Sequence, residues 1–219
     1  MRTKIVGLTG GIATGKSTVA RLLSDRATIV DADILAREIV APGEPAWREI
    51  VATFGEEVLA KDRTLDRGKL RQIVFEDPQS RHRLEAITHP RIRTTAQRRI
   101  RDAAAAGAIF VVYDAPLLFE NQIDLWLRPV VLVACEPAIQ RTRLRDRDHL
   151  NEDTIDRHLR AQMPMDQKRG LADFVIENNG DLETLTVAIA ETWARVDAIS
   201  PSRYIFPLRD PHESDHPLE

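Results

Sequence analysis

Apolar and polar positions change period several times along the chain, and those changes mark out its elements. Lys4 to Thr9 is a short run rich in β-branched residues that ends in Gly10-Gly11. Thr18 to Leu23 follows with Val19, Ala20, Leu22 and Leu23 at helical spacing. A strand, a glycine loop and a helix in that order open a parallel α/β domain. Thr28 to Val30 predicts a second short strand, ending at Asp31-Ala32-Asp33. Ala108 to Tyr113 and Pro129 to Ala134 are near-continuous apolar runs of strand length. Such runs fit strands buried on both faces of a parallel sheet. Phe174 to Ile176 predicts a fifth strand. Asp181 to Val196 predicts a closing helix, with Leu182, Leu185, Ile189, Trp193 and Val196 in register.

The spacing between strands is uneven. Roughly 75 residues separate Asp33 from the strand at Ala108, far more than one crossover helix needs. Their pattern is helical, with Ala46 to Phe54, Leu65 to Phe75 and Gln79 to Arg101 as candidates and Pro42, Pro45, Pro78 and Pro90 as punctuation. This stretch is expected to be a helical insertion at the sheet edge that holds a substrate. A second excursion, Glu136 to Arg169, carries six arginines and six acids between 136 and 160, the composition of an exposed, mobile helical hairpin. Pro207 to Glu219, with three prolines and four acids in 13 residues, is expected to be disordered.

Composition narrows the class. In 219 residues, 43% hydrophobic and 30% charged suits a folded soluble protein. The longest near-apolar stretch, Ala103 to Tyr113, is 11 residues, against about 18 for a membrane span. The opening MRTKIVGLTGG has no leader pattern, so a cytoplasmic protein is expected. Cys135 is the only cysteine, which excludes an internal disulfide and a cysteine-based zinc site. The charge sum, 31 − 34 = −3, gives no field for a general nucleic-acid binder. Only five of the 31 basic residues are lysine, a bias that genomic composition explains. Placement still matters: residues 81 to 101 hold seven arginines against one acid, Glu85, a local basic face suited to a phosphorylated small molecule.

The chemistry is carried by Gly10-Gly11-Ile12-Ala13-Thr14-Gly15-Lys16-Ser17, which matches G-x-x-x-x-G-K-[ST]. Chance supplies such a match in a chain this long on the order of 1% of the time. Glycines let the backbone curl so that successive N–H groups face phosphate oxygens, and the helix N-terminus adds partial positive charge. In this pattern Lys16 reaches the β- and γ-phosphates, and the Ser17 hydroxyl ligates Mg²⁺. The N-K-x-D motif of a GTPase is absent; Asn178-Asn179 is followed by Gly180-Asp181. A short P-loop chain with two helical excursions points to a small-molecule kinase, one excursion holding the acceptor and the other closing over ATP as a lid.

Other candidates have two readings each. Asp33, at a strand's carboxyl edge, can take a proton from an attacking hydroxyl or help order Mg²⁺, or it can simply cap the next helix. Asp114, after Phe110-Val111-Val112-Tyr113, fits a Walker-B-like place near magnesium and its waters, or a strand-end cap. Gln140, Arg143 and Arg147 share a helix face, where arginines neutralise a transferring phosphoryl group or pair with Asp146 and Asp148. His89-Pro90 sits in the arginine-rich insertion. Cys135 reads as a small buried hydrophobe, and Trp47, Trp126 and Trp193 as packing. His212 and His216 lie four apart in the tail without a third ligand nearby.

Taken together, the chain resembles the dephospho-coenzyme A kinases, of the nucleoside-monophosphate-kinase-like P-loop group. The resemblance runs from residue 4 to about 197. It rests on Leu8-Thr9-Gly10-Gly11-Ile12 with Gly15-Lys16-Ser17-Thr18; Asp31-Ala32-Asp33 with Ala36-Arg37; His89-Pro90; Asp114-Ala115-Pro116-Leu117-Leu118-Phe119-Glu120; Gln140-x-x-Arg143-x-x-x-Arg147; Ala161-Gln162; and Ala172-Asp173 through Val175-Ile176 to Asn178 and Gly180. The P-loop alone is widespread, while this set in this order is far more specific.

The resemblance implies an α/β P-loop kinase core: a five-stranded parallel sheet flanked by helices, with a helical substrate-binding insertion and a helical lid. The expected core is 1–34, 108–139 and 166–200, the coenzyme A-binding domain 35–107 and the lid 140–165, with 201–219 as the tail. The implied activity is ATP-dependent phosphorylation of the ribose 3′-hydroxyl of dephospho-coenzyme A, with Mg²⁺ and ATP; no nucleic-acid or membrane partner is expected, and a monomer is expected with self-association left open. By the same analogy Asp33 is the general base, Lys16, Arg143 and Arg147 act on phosphates, and Gly10 through Thr18 with Asn178 bind ATP. His89 and Leu117 lie on the acceptor side. Arg93, four residues past His89, is a further candidate for the acceptor's pyrophosphate. Ala13 and Thr14 replace the glycine and serine common inside the loop, and the tail beyond Ser200 is outside the resemblance. A shikimate-type kinase is the rival enzyme, disfavoured by the long insertion. A nucleotide-sensing switch is the rival class, which has no use for an acceptor-side carboxylate and aligned lid arginines.

Overall fold

The computed structural model describes residues 3–199. The expected tail and both its histidines, His212 and His216, lie outside them. Strand β1 (Lys4–Gly10) is the centre of one parallel sheet, between β3 (Phe110–Asp114) and β4 (Val130–Ala134). Strand β2 (Thr28–Asp31) lies outside β3, and β5 (Phe174–Glu177) outside β4, giving the order β2-β3-β1-β4-β5. All five expected strands are present, each within two residues of its predicted start. Val6 and Leu8 of β1, Val112 of β3 and Val131 and Val133 of β4 share one face. Helix α1 (Lys16–Leu23) and helix α9 (Leu182–Asp197) bury that face with Val19, Leu23, Leu185, Ile189 and Trp193. Phe110 meets Trp193 with ring centroids 5.4 Å apart, in the tilted geometry aromatic pairs favour. The opposite side of β1 admits no side chain at Gly7, where a Cβ would lie 2.9 Å from Leu118 Cδ1.

The chain divides into two compact units, one holding the sheet (3–30 and 100–199) and one helical (Asp31–Arg99). That division falls four residues before the expected boundary at 35 and eight before the one at 107. The helical unit holds α2 (Ala32–Glu38), α3 (Pro45–Phe54), α4 (Arg67–Glu76) and most of α5 (Pro78–Ala105). Each start has a physical cause. Asp31 accepts from the amides of Asp33 and Ile34, Asp66 from Gly68 and Lys69, and Asp77 from Gln79 and Ser80. Pro45 occupies the first turn of α3, where its missing N–H costs nothing. Ala46, Ile50, Val58, Leu70 and Ile87 form the unit's own core.

The helix expected over Gln79 to Arg101 is α5, which runs through Pro90 for 28 residues. A mid-helix proline opens the turn before it, and there the Arg91 guanidinium donates to the Ile87 carbonyl at 2.6 Å. The arginine-rich face of α5 is also partly structural. Arg81 pairs with Glu85, Arg83 with Asp77, Arg91 with Glu49 and Arg99 with Glu38.

In the sheet unit, α6 (Pro137–Asp148), α7 (Glu152–Arg160) and α8 (Met165–Leu171) form the second excursion. Arg141 joins α6 to α7 through Glu152 at 3.0 Å and Asp156 at 2.6 Å, and Arg145 also pairs with Glu152. These pairs hold the Glu152 and Asp156 carboxyls below their ordinary range.

Ile50 is fully buried in the small helical core. Ile50→Ala is expected to cost about 2–5 kcal/mol in urea-induced unfolding. A loss under about 1 kcal/mol would show that this cluster is not what holds the unit.

Candidate active site

Strand β1 delivers the chain into the glycine loop, and Lys16 begins α1. Two residues in the loop have left-handed backbone, Ala13 with φ 60° and Gly15 with φ 90°. Glycine meets that demand at position 15; at position 13 an alanine carries it, at a cost of about 1–2 kcal/mol. Thr14 is fully buried, and its hydroxyl donates to the Gly11 carbonyl at 2.9 Å, which closes the turn. Gly15 offers no capping side chain, so the first amides of α1 are left for an anion.

Lys16 and Asp114 form an ion pair between side chains only 14% and 5% exposed. Asp114 ends β3 and is therefore more than a strand-end cap. It fixes the P-loop lysine in a poorly solvated place, where each charge needs the other.

The loop is braced from outside. Asn178, just past β5, donates from Nδ2 to the Thr14 carbonyl at 2.8 Å. Arg143 of α6 reaches the same carbonyl and the Asn178 Oδ1, both at 3.4 Å. The resemblance implies an ATP-binding role for Asn178; here its side-chain amide bonds the P-loop backbone. Arg147 is exposed and forms a fork with Asp148 at 2.7 and 2.8 Å. The pair holds the Asp148 carboxyl below its usual range. Of these two α6 arginines, Arg143 meets the loop and Arg147 meets its neighbour.

Leu117 is 39% exposed in the turn after β3. Three residues on, Glu120 accepts from the Met163 amide at 3.0 Å and pairs with Lys168 at 2.8 Å. Lys168 is completely buried and also faces the Pro116 carbonyl at 3.4 Å. It was not among the candidates. The available signal was its rarity: it is one of five lysines in an arginine-rich chain. Cys135, buried at the end of β4, has its thiol pushed up by burial, as its reading as a small hydrophobe requires.

In the helical unit, Asp31 is the cap of α2, so the capping alternative for Asp33 falls away. Asp33 sits in the first turn with an exposed side chain. His89 and Arg93 are exposed and one helical turn apart on α5.

Among the described residues no cluster of three or more His, Cys, Asp or Glu side chains could hold a metal alone. The hard oxygens of Ser17 and Asp114 fit Mg²⁺, which binds through one or two protein groups together with substrate phosphates. No described helix is long and apolar enough to cross a membrane.

Comparison with known proteins gives a consistent picture. The model of the dephospho-CoA kinase family matches residues 4–184. The dephospho-CoA kinase of Anaeromyxobacter dehalogenans is 50% identical over 183 residues, covering 83% of this chain and 87% of its own. The crystal structure of TT1252 from Thermus thermophilus aligns with TM-score 0.76 at 35% identity, over 89% of this chain and 98% of its own. Dephospho-CoA kinase from Campylobacter jejuni aligns with TM-score 0.66 at 25% identity, over 88% and 96%.

A Cβ on Gly15 would lie 2.2 Å from Asn178 Nδ2, on backbone with φ 90°. Gly15→Ala should therefore incur the left-handed penalty and lose the Asn178 hydrogen bond, about 2–3 kcal/mol together. Chemical denaturation measures it, and a variant as stable as the parent refutes the account.

Proposed function

The chain belongs to the dephospho-CoA kinase family, and on that premise we propose how its residues divide the work. The family performs the final step of coenzyme A biosynthesis and uses ATP. The reaction proposed here is transfer of the γ-phosphoryl group of ATP to the ribose 3′-hydroxyl of dephospho-coenzyme A. The observation that carries it is the P-loop itself: a left-handed glycine turn, a lysine paired with a buried strand-end aspartate, and an arginine of α6 bound to the loop.

The loop amides and the start of α1 receive the phosphates. Lys16 exchanges part of its pairing with Asp114 for oxygens of the β- and γ-phosphates. Arg143, already at the loop, and Arg147, once its fork with Asp148 opens, neutralise charge spreading over the transferred group. Magnesium held by Ser17 and Asp114, directly or through water, supplies further charge neutralisation to the phosphates when bound.

Asp33 accepts the 3′-hydroxyl proton as the ribose oxygen forms its bond to phosphorus. The bond from phosphorus to the β-phosphate oxygen breaks, and ADP leaves. His89, Arg93 and Leu117 contact the acceptor. The transition state of phosphoryl transfer is loose, so positioning and charge neutralisation carry most of the rate. Lys16 and the arginines therefore matter at least as much as the base. Family membership removes the shikimate-type alternative, and a switch protein would leave the exposed carboxylate of Asp33 without work.

Coupled ADP release should require dephospho-coenzyme A and should not respond to shikimate or adenosine. Asp33→Asn should lower kcat by about 10²–10⁴ with ATP affinity nearly intact. An unchanged kcat refutes the general-base role; acceptor-independent ADP release refutes the gating of the site against water.

A further inference from the structure

A loop that turns its amides toward phosphate must find partners for the peptide groups left on its outer side. At Ile12 two glutamines supply them. Gln140 Nε2 donates to the Ile12 carbonyl at 2.6 Å. Gln162 Oε1 accepts from the Ile12 amide at 2.8 Å. Gln140 lies on α6 and is buried; Gln162 follows α7 and is half-buried.

The loop sequence accommodates this approach. A Cβ on Gly11 would lie 3.0 Å from Gln140 Nε2 and 2.8 Å from Met165 Cε. Gly11 is not among the residues with positive φ, and the P-loop spacing leaves its position free. Proximity to Gln140 and Met165 accounts for a glycine there. Gln162 is itself fixed from behind. The next amide, of Met163, donates to Glu120, which the buried Lys168 holds.

We propose that Gln140 and Gln162 are positioning residues that keep the P-loop in its phosphate-accepting shape by clasping both peptide groups of Ile12. This rests on the reading that the loop takes the phosphates of ATP. Without the clasp the loop samples other shapes, and ATP must order it on binding. The cost falls on ATP affinity and not on transfer, because the nucleotide-bound loop is the same in both cases. The two glutamines have opposite polarity, one a donor and the other an acceptor. Glutamate at 162 keeps the acceptor; glutamate at 140 sets a carboxylate against a carbonyl.

The test measures ATP affinity by calorimetry without acceptor, kcat and KM for ATP with acceptor, and Tm without nucleotide. Gln140→Leu and Gln162→Leu should each weaken ATP binding and raise its KM about 3- to 10-fold, the loss of one hydrogen bond to a partner left unpaired, with kcat within about twofold. In the nucleotide-free protein Gln162→Glu should melt above Gln162→Leu, and Gln140→Glu below Gln140→Leu. Should Gln140→Leu fail to fold, the half-buried Gln162→Leu carries the test. Leucine variants that bind ATP like a binding-competent parent overturn the clasp, as does a loss of kcat at unchanged KM. The same melting order at both positions overturns the donor and acceptor assignment. A parent that binds no ATP overturns the reading of the loop itself.

Discussion

Backbone polarity is the constraint on which the site depends. Each peptide unit that points its N–H into a phosphate cradle points its carbonyl elsewhere, and a buried carbonyl without a partner is costly. The loop after β1 uses its own backbone only in part, through the Thr14 amide to the Gly11 carbonyl at 3.3 Å and the Thr18 and Val19 amides of α1 to the Gly15 carbonyl. The groups of Thr14 and Ile12 are taken by side chains: Thr14 by Asn178 and Arg143, and Ile12 by Gln140 and Gln162. Those four residues come from the end of β5, from α6 and from the turn after α7. The central position of β1 in the sheet is what brings such separate elements to one loop.

Charge follows the same logic at a second level. Lys16–Asp114 and Lys168–Glu120 are poorly solvated pairs within the sheet unit. Pairs of this kind add little stability against a hydrophobic equivalent, but losing one partner leaves a costly charge. They are therefore better suited to fixing geometry than to holding the fold together. The chain spends its plentiful arginine elsewhere, in exposed ladders such as Arg141 with Glu152 and Asp156, where screening limits each pair's worth. A compact ammonium fits the crowded places behind the loops, where a planar guanidinium fork would need more room.

The sheet was legible because β3 and β4 are continuous apolar runs and the other strands are short β-branched runs that end at turn residues. The P-loop was legible because its spacing is improbable by chance. What sequence could not settle was choice among near-equivalent residues. Asp31 and Asp33 are two apart, and only the geometry assigns the cap to Asp31. Arg143 and Arg147 share a helix face, and only the geometry separates the one on the loop from the one on Asp148. Pro90 falls inside the helix expected over Gln79 to Arg101, although local propensity opposes a proline there. The packing of Ile87 and Ala96, on either side of it, outweighs that propensity. The roles of Gln140, Gln162 and Lys168 depend on long-range hydrogen bonds, which leave no periodic trace.

The loop also shows that glycine answers two different demands. At Gly15 the demand is backbone conformation, and the residue sits at φ 90°. At Gly11 it is space, because a Cβ would crowd the ends of the Gln140 and Met165 side chains and make them shift. Ala13 is the converse case, a side chain kept where conformation alone would favour glycine. A left-handed alanine persists only where its surroundings over-determine it. Here the surroundings are the closed turn of Thr14 on one side and Ile12, held at both peptide groups, on the other. Strain of about 1–2 kcal/mol at Ala13 is thus evidence of how firmly its flanks are fixed. A cradle rigid enough to hold that strain is already formed before phosphate arrives, so binding energy goes to the ligand and not to ordering the loop.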